Sequence, residues 1–197
     1  MNIIIKKKIA MKKINAKRNG TRVVFQCRFS YAHLEKPWSG EEGQEKKYSI
    51  CAIIPKDDAH TIRTIKEAIE QAKKEGQVSK WGGTLPKKLH NPLRDGDEER
   101  DAAEYEDTMF LSASSTRPVA VLNALKQPID PEEAYSGAYG LVSVGFFPFN
   151  SNGNKGIGAG LNAVLKLADG ERLGGGGDGR HDFDDVDLGV EEGLDDL

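Results

Sequence analysis

The hydrophobic rhythm of the chain changes several times, and the changes divide it. Residues 1 to about 20 follow no clean period and end in Arg18-Asn19-Gly20; they predict an extension without regular structure. From Thr21 the pattern alternates. Val23, Phe25, Cys27, Phe29 and Tyr31 stand between Arg22, Gln26, Arg28 and Ser30, the two-residue period of a half-buried strand. Pro37 to Gln44 is polar and contains glycine, which reads as a turn. Lys46 to Pro55 predicts a second strand, with Tyr48, Ile50, Ala52 and Ile54 on one face and Ser49, Cys51 and Ile53 on the other. Its far end is apolar on both faces, as in a strand central to a sheet.

Asp57 or Asp58 then caps a helix. Ile62, Ile65, Ala68, Ile69 and Ala72 recur at three- and four-residue spacing, with Lys66, Glu67, Glu70, Lys73 and Lys74 opposite, so the apolar stripe is core. Gly76 is a natural stop. Residues 77–107 are irregular, and a loop of that length in a compact domain usually carries function. Strands resume over 108–114 and 118–122, followed by a turn over 127–132 and a long strand over 136–149. Asn150-Ser151-Asn152-Gly153-Asn154 is a hairpin signal, and Leu161, Ala163, Leu165 and Leu167 alternate in a last strand. Gly174 to Gly177 reads as a hinge, and the segment beyond is too charged to fold alone. Six or so strands with one good helix, and no regular alternation of the two, argue against a doubly wound parallel sheet. They leave a small barrel or an α+β sheet.

Composition narrows the function classes. The 197 residues suit one domain with tails. No apolar run approaches the roughly 18 residues of a membrane span, and the basic start lacks the features of a signal peptide, so a cytosolic location is expected. Cys27 and Cys51 sit in strand-like segments and are expected to be buried thiols in a reducing compartment. His33, His60, His90 and His181 have no metal-ligand spacing. The net charge of −3 hides an asymmetry: Asp178 to Leu197 holds nine acids against one base, a charge of −8, which leaves +5 on residues 1–177. A basic body with an acidic tail points to a polyanionic partner and a tail that mimics it.

Asn154-Lys155-Gly156-Ile157-Gly158-Ala159-Gly160 invites a phosphate-loop reading, but Lys precedes the glycines and a strand follows, so its glycines are expected to permit a bend or a close approach. Asp95, Asp97, Glu98, Glu99 and Asp101 could hold magnesium as nuclease carboxylates do. However, Arg100 stands where a calcium loop needs glycine, and a loop paired with its own Arg94 and Arg100 is the simpler reading. No catalytic constellation, metal site or cofactor is expected. The pairing of cations with rings says more. Lys46-Lys47-Tyr48, Lys80-Trp81, Lys87-Lys88, Arg94, Arg117 and the stretch from Phe147 to Lys155 have the mixture that single-strand binding needs, since cations follow phosphates and flat rings stack bases without reading sequence. The stacking candidates are Tyr48, Trp81, Tyr139, Phe147 and Phe149; alternation puts the last three on one face. The phosphate candidates are Lys46, Lys47, Lys87, Lys88, Arg94, Arg117 and Lys155.

Several stretches together resemble a phage protein family long catalogued as a domain of unknown function, which has an OB-fold single-stranded-DNA-binding member. They are Tyr48-Ser49 to Ile54-Pro55-Lys56, Lys80-Trp81-Gly82-Gly83, Pro92-Leu93-Arg94-Asp95-Gly96-Asp97-Glu98, Tyr135-Ser136-Gly137, and Phe149 through Gly158 to Leu161-Asn162. The resemblance covers roughly residues 21–190. It implies a mainly β, OB-like antiparallel barrel over 21–170, with a helix over 58–75 packed on it and the 77–107 segment inserted. A flexible basic extension over 1–20 would precede it, and a hinge with a disordered acidic tail over 171–197 would follow. It also implies sequence-nonspecific coating of single-stranded DNA during phage replication or recombination, without catalysis, in the cytoplasm of the bacterial host. In the tail, Phe183, Asp184, Asp185 and Asp187 are the candidates for docking replication or recombination proteins. Two rivals remain: a metal-dependent nuclease using Asp95, Asp97 and Glu98, and a virion adaptor docking through the tail. The chain departs from the pattern in its longer start and in ending on Leu197 rather than an aromatic residue.

Overall fold

The computed structural model describes residues 11–174. The tail candidates Phe183, Asp184, Asp185 and Asp187 lie outside them, as does the hinge beyond Gly174. Where no regular structure was expected before Thr21, the short strand β1 (Lys17–Asn19) pairs with the start of β2 (Arg22–Trp38). Gly20 takes a left-handed φ of 61° in the two-residue turn between them. Strand β3 (Lys47–Pro55) follows, then helix α1 (Ala59–Ser79), the two-residue β4 (Arg94–Asp95) and the single turn α2 (Gly96–Glu99). After a 3₁₀ turn at Ala103–Tyr105 come β5 (Thr108–Ser115), β6 (Ala120–Leu122), a second 3₁₀ turn at Pro131–Glu133, β7 (Tyr139–Ser151) and β8 (Asn154–Ala168).

The sheet closes on itself. Strand β2 pairs antiparallel with β3 and with β7, β3 with β5, and β7 with β8. A parallel contact between Ser114 of β5 and Gly160 of β8 completes a five-stranded barrel. This is the Greek-key barrel of an OB fold, with β1, β4 and β6 as additions at its margins. Alternation fills the interior: Val23, Phe25, Cys27 and Phe29 from β2 meet Ile50, Ala52 and Ile54 from β3, and Val142, Val144 and Phe146 from β7. Strand β3 is central and covered on both faces, as its two-sided apolar pattern implied. Its other face, Cys51 and Ile53, packs with Tyr105 and Phe110 in a small second cluster on the outside of the barrel. Both thiols are free and buried, and burial pushes their pKa values up, so they stay protonated.

Three local expectations change. Tyr31, assigned by parity to the inner face, is turned out: a register shift between Ser30 and His33 breaks the alternation, and Tyr31 takes a left-handed φ of 43°. Strand β2 then continues through Pro37 to Trp38, where a turn was expected. Helix α1, capped by Asp58, whose Oδ1 accepts a hydrogen bond from the Thr61 amide (3.3 Å), runs past Gly76 to Ser79. Gly76 serves packing rather than termination, since a Cβ there would lie 2.5 Å from Pro148 Cβ and 2.8 Å from the Trp81 ring.

Candidate nucleic-acid interface

Residues paired across strands share a face of the sheet, so the ladder defines what lines the outside of the barrel. One row runs His33, Ser49, Ser114, Gly160 and Gly145 across β2, β3, β5, β8 and β7. The row beside it runs Ser30, Cys51 and Ser112. Along the first row the floor over β3, β5 and β8 is therefore small and polar and lets a flat ligand approach the backbone, whereas in the second row Ser30 and Cys51 lie buried beneath Tyr105.

Large rings stand at both ends of this floor. At one end, Phe147 lies across the glycines of β8: a Cβ on Gly158 would come within 2.5 Å of its ring. The ring is 49% exposed, and no side chain grows from Gly158 or Gly160 to displace it. At the other end, Trp38 is 53% exposed and stacked on His33, with ring centroids 4.7 Å apart and planes 9° from parallel. Desolvation holds the His33 pKa below its usual value, which favours a neutral imidazole as the backing plane. Tyr31, 57% exposed, stands along the same strand.

Cations gather around these ends. Tyr48 is half-buried at the start of β3, directly opposite Ser115 of β5. This places Lys46, Lys47 and Arg117 at one mouth of the barrel. Lys46 and Arg117 are exposed, and Lys47 lies 3.5 Å from Glu45. Phe149 and Lys155 sit on the β7–β8 hairpin, whose two-residue turn uses Asn152 and Gly153 with φ of 49° and 82°. His90 bridges to Gly156 and its ring lies 6.2 Å from that of Phe149, which brings the exposed Lys87 and Lys88 to the same arm.

Three candidates are placed elsewhere. Trp81 is 7% exposed and belongs to the core; its indole N–H donates to the Phe149 carbonyl (3.1 Å), so it props the hairpin and offers no free face. Tyr139 keeps the outward parity of Phe147 but lies at the far end of β7 with the Arg28 guanidinium 5.4 Å above it and the backbone of Gly170 against its edge. Arg94 pairs with Glu99 and stacks on Phe110. Trp38, His33 and Tyr31 join the rings on this face although the pattern of the chain did not single them out. The signal was there, three ring-bearing residues within eight positions, but the proline and glycine beside Trp38 read as a turn.

Three acids of the cluster, Asp95, Asp97 and Glu99, are paired with cations of the protein itself. Lys56 Nζ lies 2.7 Å from Asp95 and 2.5 Å from Asp97, and Asp97 also accepts from the Asp107 amide. Hydrogen bonding to Lys56 holds both carboxyls below the usual range and raises the Lys56 pKa. Among the described residues no group of three or more histidine, cysteine or acidic side chains is arranged to hold a metal ion. The linkage has a definite sign. Depressed carboxyls contribute stability that is present above their unfolded values of about 4 and is lost as the pH falls below them. Thermal melts of the wild type and Lys56→Ala are therefore expected to differ at neutral pH and to converge below about pH 4; a constant gap across that range would contradict the pairing.

A family model of the single-stranded-DNA-binding protein of Enterobacter phage Enc34 matches residues 21–194. The chain belongs to the Enc34 single-stranded-DNA-binding family. The match begins just after β1, so the basic start lies outside what the Enc34 family defines. Among solved structures, the single-stranded DNA-binding protein from bacteriophage Enc34 in complex with single-stranded DNA is 31% identical, with a TM-score of 0.68 over 84% of this chain and 100% of that one. A second structure of the single-stranded DNA-binding protein from bacteriophage Enc34 is 28% identical, with a TM-score of 0.65 over 89% of this chain and 98% of that one. Bacteriophage T7 gp2.5, a single-stranded DNA binding protein, shares the fold at 16% identity and a TM-score of 0.54, over 89% and 99%. No curated protein matches the chain.

Proposed function

We propose that this protein coats single-stranded DNA without sequence preference during phage replication or recombination. The observation that carries the reading is the small polar floor of Ser49, Ser112, Ser114 and Gly160 between two exposed ring platforms, Phe147 and the His33–Trp38 stack. Bases have flat faces of any identity to stack on such rings, and Lys46, Lys47, Lys87, Lys88, Arg117 and Lys155 supply charge for the phosphates around the rim. Membership of the Enc34 family agrees with it. The role is binding rather than catalysis: Lys56 already sits on Asp95 and Asp97, two of the three carboxylates that the nuclease reading would need for metal. No helix among the described residues is long and apolar enough to cross a membrane. Residues 21–170 form the binding domain in this reading, and the protein acts in the cytoplasm of the host.

The test is fluorescence anisotropy of labelled oligo-dT with an equal-length duplex as competitor. Affinity is expected to fall roughly tenfold or more between 50 and 200 mM salt, as about three phosphate contacts on a single strand require, and the duplex should compete poorly. A flat salt response, or equal competition by duplex, would remove the support for the reading.

The tail is given a regulatory part. With −8 of charge between Asp178 and Leu197, it competes with DNA for the cationic rim and offers Phe183, Asp184, Asp185 and Asp187 to replication or recombination proteins. Deleting 178–197 is expected to tighten binding to oligo-dT, most strongly at low salt. Unchanged or weaker binding would refute competition by the tail.

A further inference from the structure

Arg100 is an arginine held among rings and left without a polar partner. It closes α2 through its backbone amide, which donates to Gly96 O (3.0 Å). Its guanidinium carbon lies 5.0 Å from the Phe110 ring centroid, 5.4 Å from that of Tyr105 and 5.7 Å from that of Tyr31. Its Nε is buried and has no hydrogen-bond partner. The nearby acid is already taken, because Glu99 pairs with Arg94. Among the described residues no carboxylate forms an ion pair with Arg100. Only Nε is enclosed by the rings; the side chain as a whole is partly exposed, so its terminal nitrogens are open to an anion while carrying a charge that no ion pair among the described residues neutralises.

The neighbour Tyr31 carries a second anomaly. Its φ of 43° is rare for a residue with a large side chain, and the irregularity in β2 that imposes it turns the ring to the solvent. Backbone strain of this kind persists where the surroundings fix it, often at ligand sites. The two residues adjoin the row of Ser30, Cys51 and Ser112, where Tyr105 covers Ser30 and Cys51 beside the floor described above.

We propose that Arg100 and Tyr31 form a nucleotide subsite, in which the guanidinium receives a backbone phosphate and the Tyr31 ring stacks the adjoining base. The planar fork of arginine matches two phosphate oxygens, and rings against its face hold it in orientation while leaving its edge free. The proposal rests on the single-strand reading. It extends the DNA track from the Phe147–Trp38 floor onto the face covered by Tyr105 and Phe110.

The experiment measures oligo-dT affinity of the full chain over a salt series for the wild type, Arg100→Gln, Arg100→Lys and Tyr31→Ala, with thermal melts of each. Arg100→Gln is expected to bind several-fold more weakly and to reduce the log–log salt slope by about 0.7, the loss of one phosphate on a single strand. Arg100→Lys should keep the slope and recover only part of the affinity, and Tyr31→Ala should lose affinity with the slope unchanged. Affinity and slope unchanged in Arg100→Gln would overturn the subsite while leaving the single-strand reading standing. So would weaker binding at an unchanged slope with a lowered melting midpoint, the mark of a structural arginine. No binding by the wild type would remove both.

Discussion

Replacing Phe147 and Trp38 together by alanine is expected to weaken binding to oligo-dT by about thirtyfold or more without changing the melting midpoint. Each ring that stacks a base contributes about 1–3 kcal/mol by alanine substitution, and about 1.4 kcal/mol is a factor of ten. Both rings are half exposed, so their removal opens no core cavity. The losses should add, because the two rings stand on different strands at opposite ends of the floor and share no stacking partner, Trp38 lying on His33 and Phe147 over Gly158. Salt dependence should stay as in the wild type, since no cation is removed. Trp81→Ala is the contrasting variant: its ring is core and holds the hairpin through the Phe149 carbonyl, so it should lower the melting midpoint as well as the affinity. If Phe147→Ala and Trp38→Ala both bind as the wild type does, the strand does not cross this floor.

Much of this was legible in the sequence, and the parts that were not share a cause. The alternation of β2 and β7, the stripe of α1 and the two-faced β3 are local patterns, and each became the element it implied. Phe147 was also legible, because alternation in β7 holds to the end. Tyr31 was not, because a bulge depends on how β2 registers against β3 rather than on β2 alone. Trp81 misled for the opposite reason: a ring flanked by Lys80 and two glycines looks exposed in sequence, yet Gly76, five residues before it, leaves the space into which it packs. The glycines of 156–160 were expected to permit a bend or a close approach, and His90 closely approaches Gly156 as the Phe147 ring does Gly158. Arg100 was noted only for breaking a calcium pattern; its rings come from β2, β5 and the 3₁₀ turn, which no local window joins.

The largest effect on stability is expected from Phe29→Ala, about 3–5 kcal/mol for a buried ring, which for a chain of this length lowers the melting midpoint by roughly 6–20 °C. Phe29 is fully buried and fills the space that Gly140 of β7 leaves: a Cβ on Gly140 would lie 2.5 Å from Phe29 Cζ and 2.1 Å from the Leu165 carbonyl oxygen of β8. The two contacts separate in a double variant. Gly140→Ala in the Phe29→Ala background escapes the ring but still meets the Leu165 carbonyl, so the double variant should be less stable than Phe29→Ala alone. A double variant more stable than the single one would mean that the methyl has settled into the vacated cavity and that β7 and β8 are not held at this spacing. Below its midpoint, Phe29→Ala should bind oligo-dT as tightly as the wild type, because its ring faces the barrel interior and the proposed DNA track runs outside it. The pair of experiments thus separates the two sides of the sheet: inner rings set the melting temperature, and outer rings set the affinity.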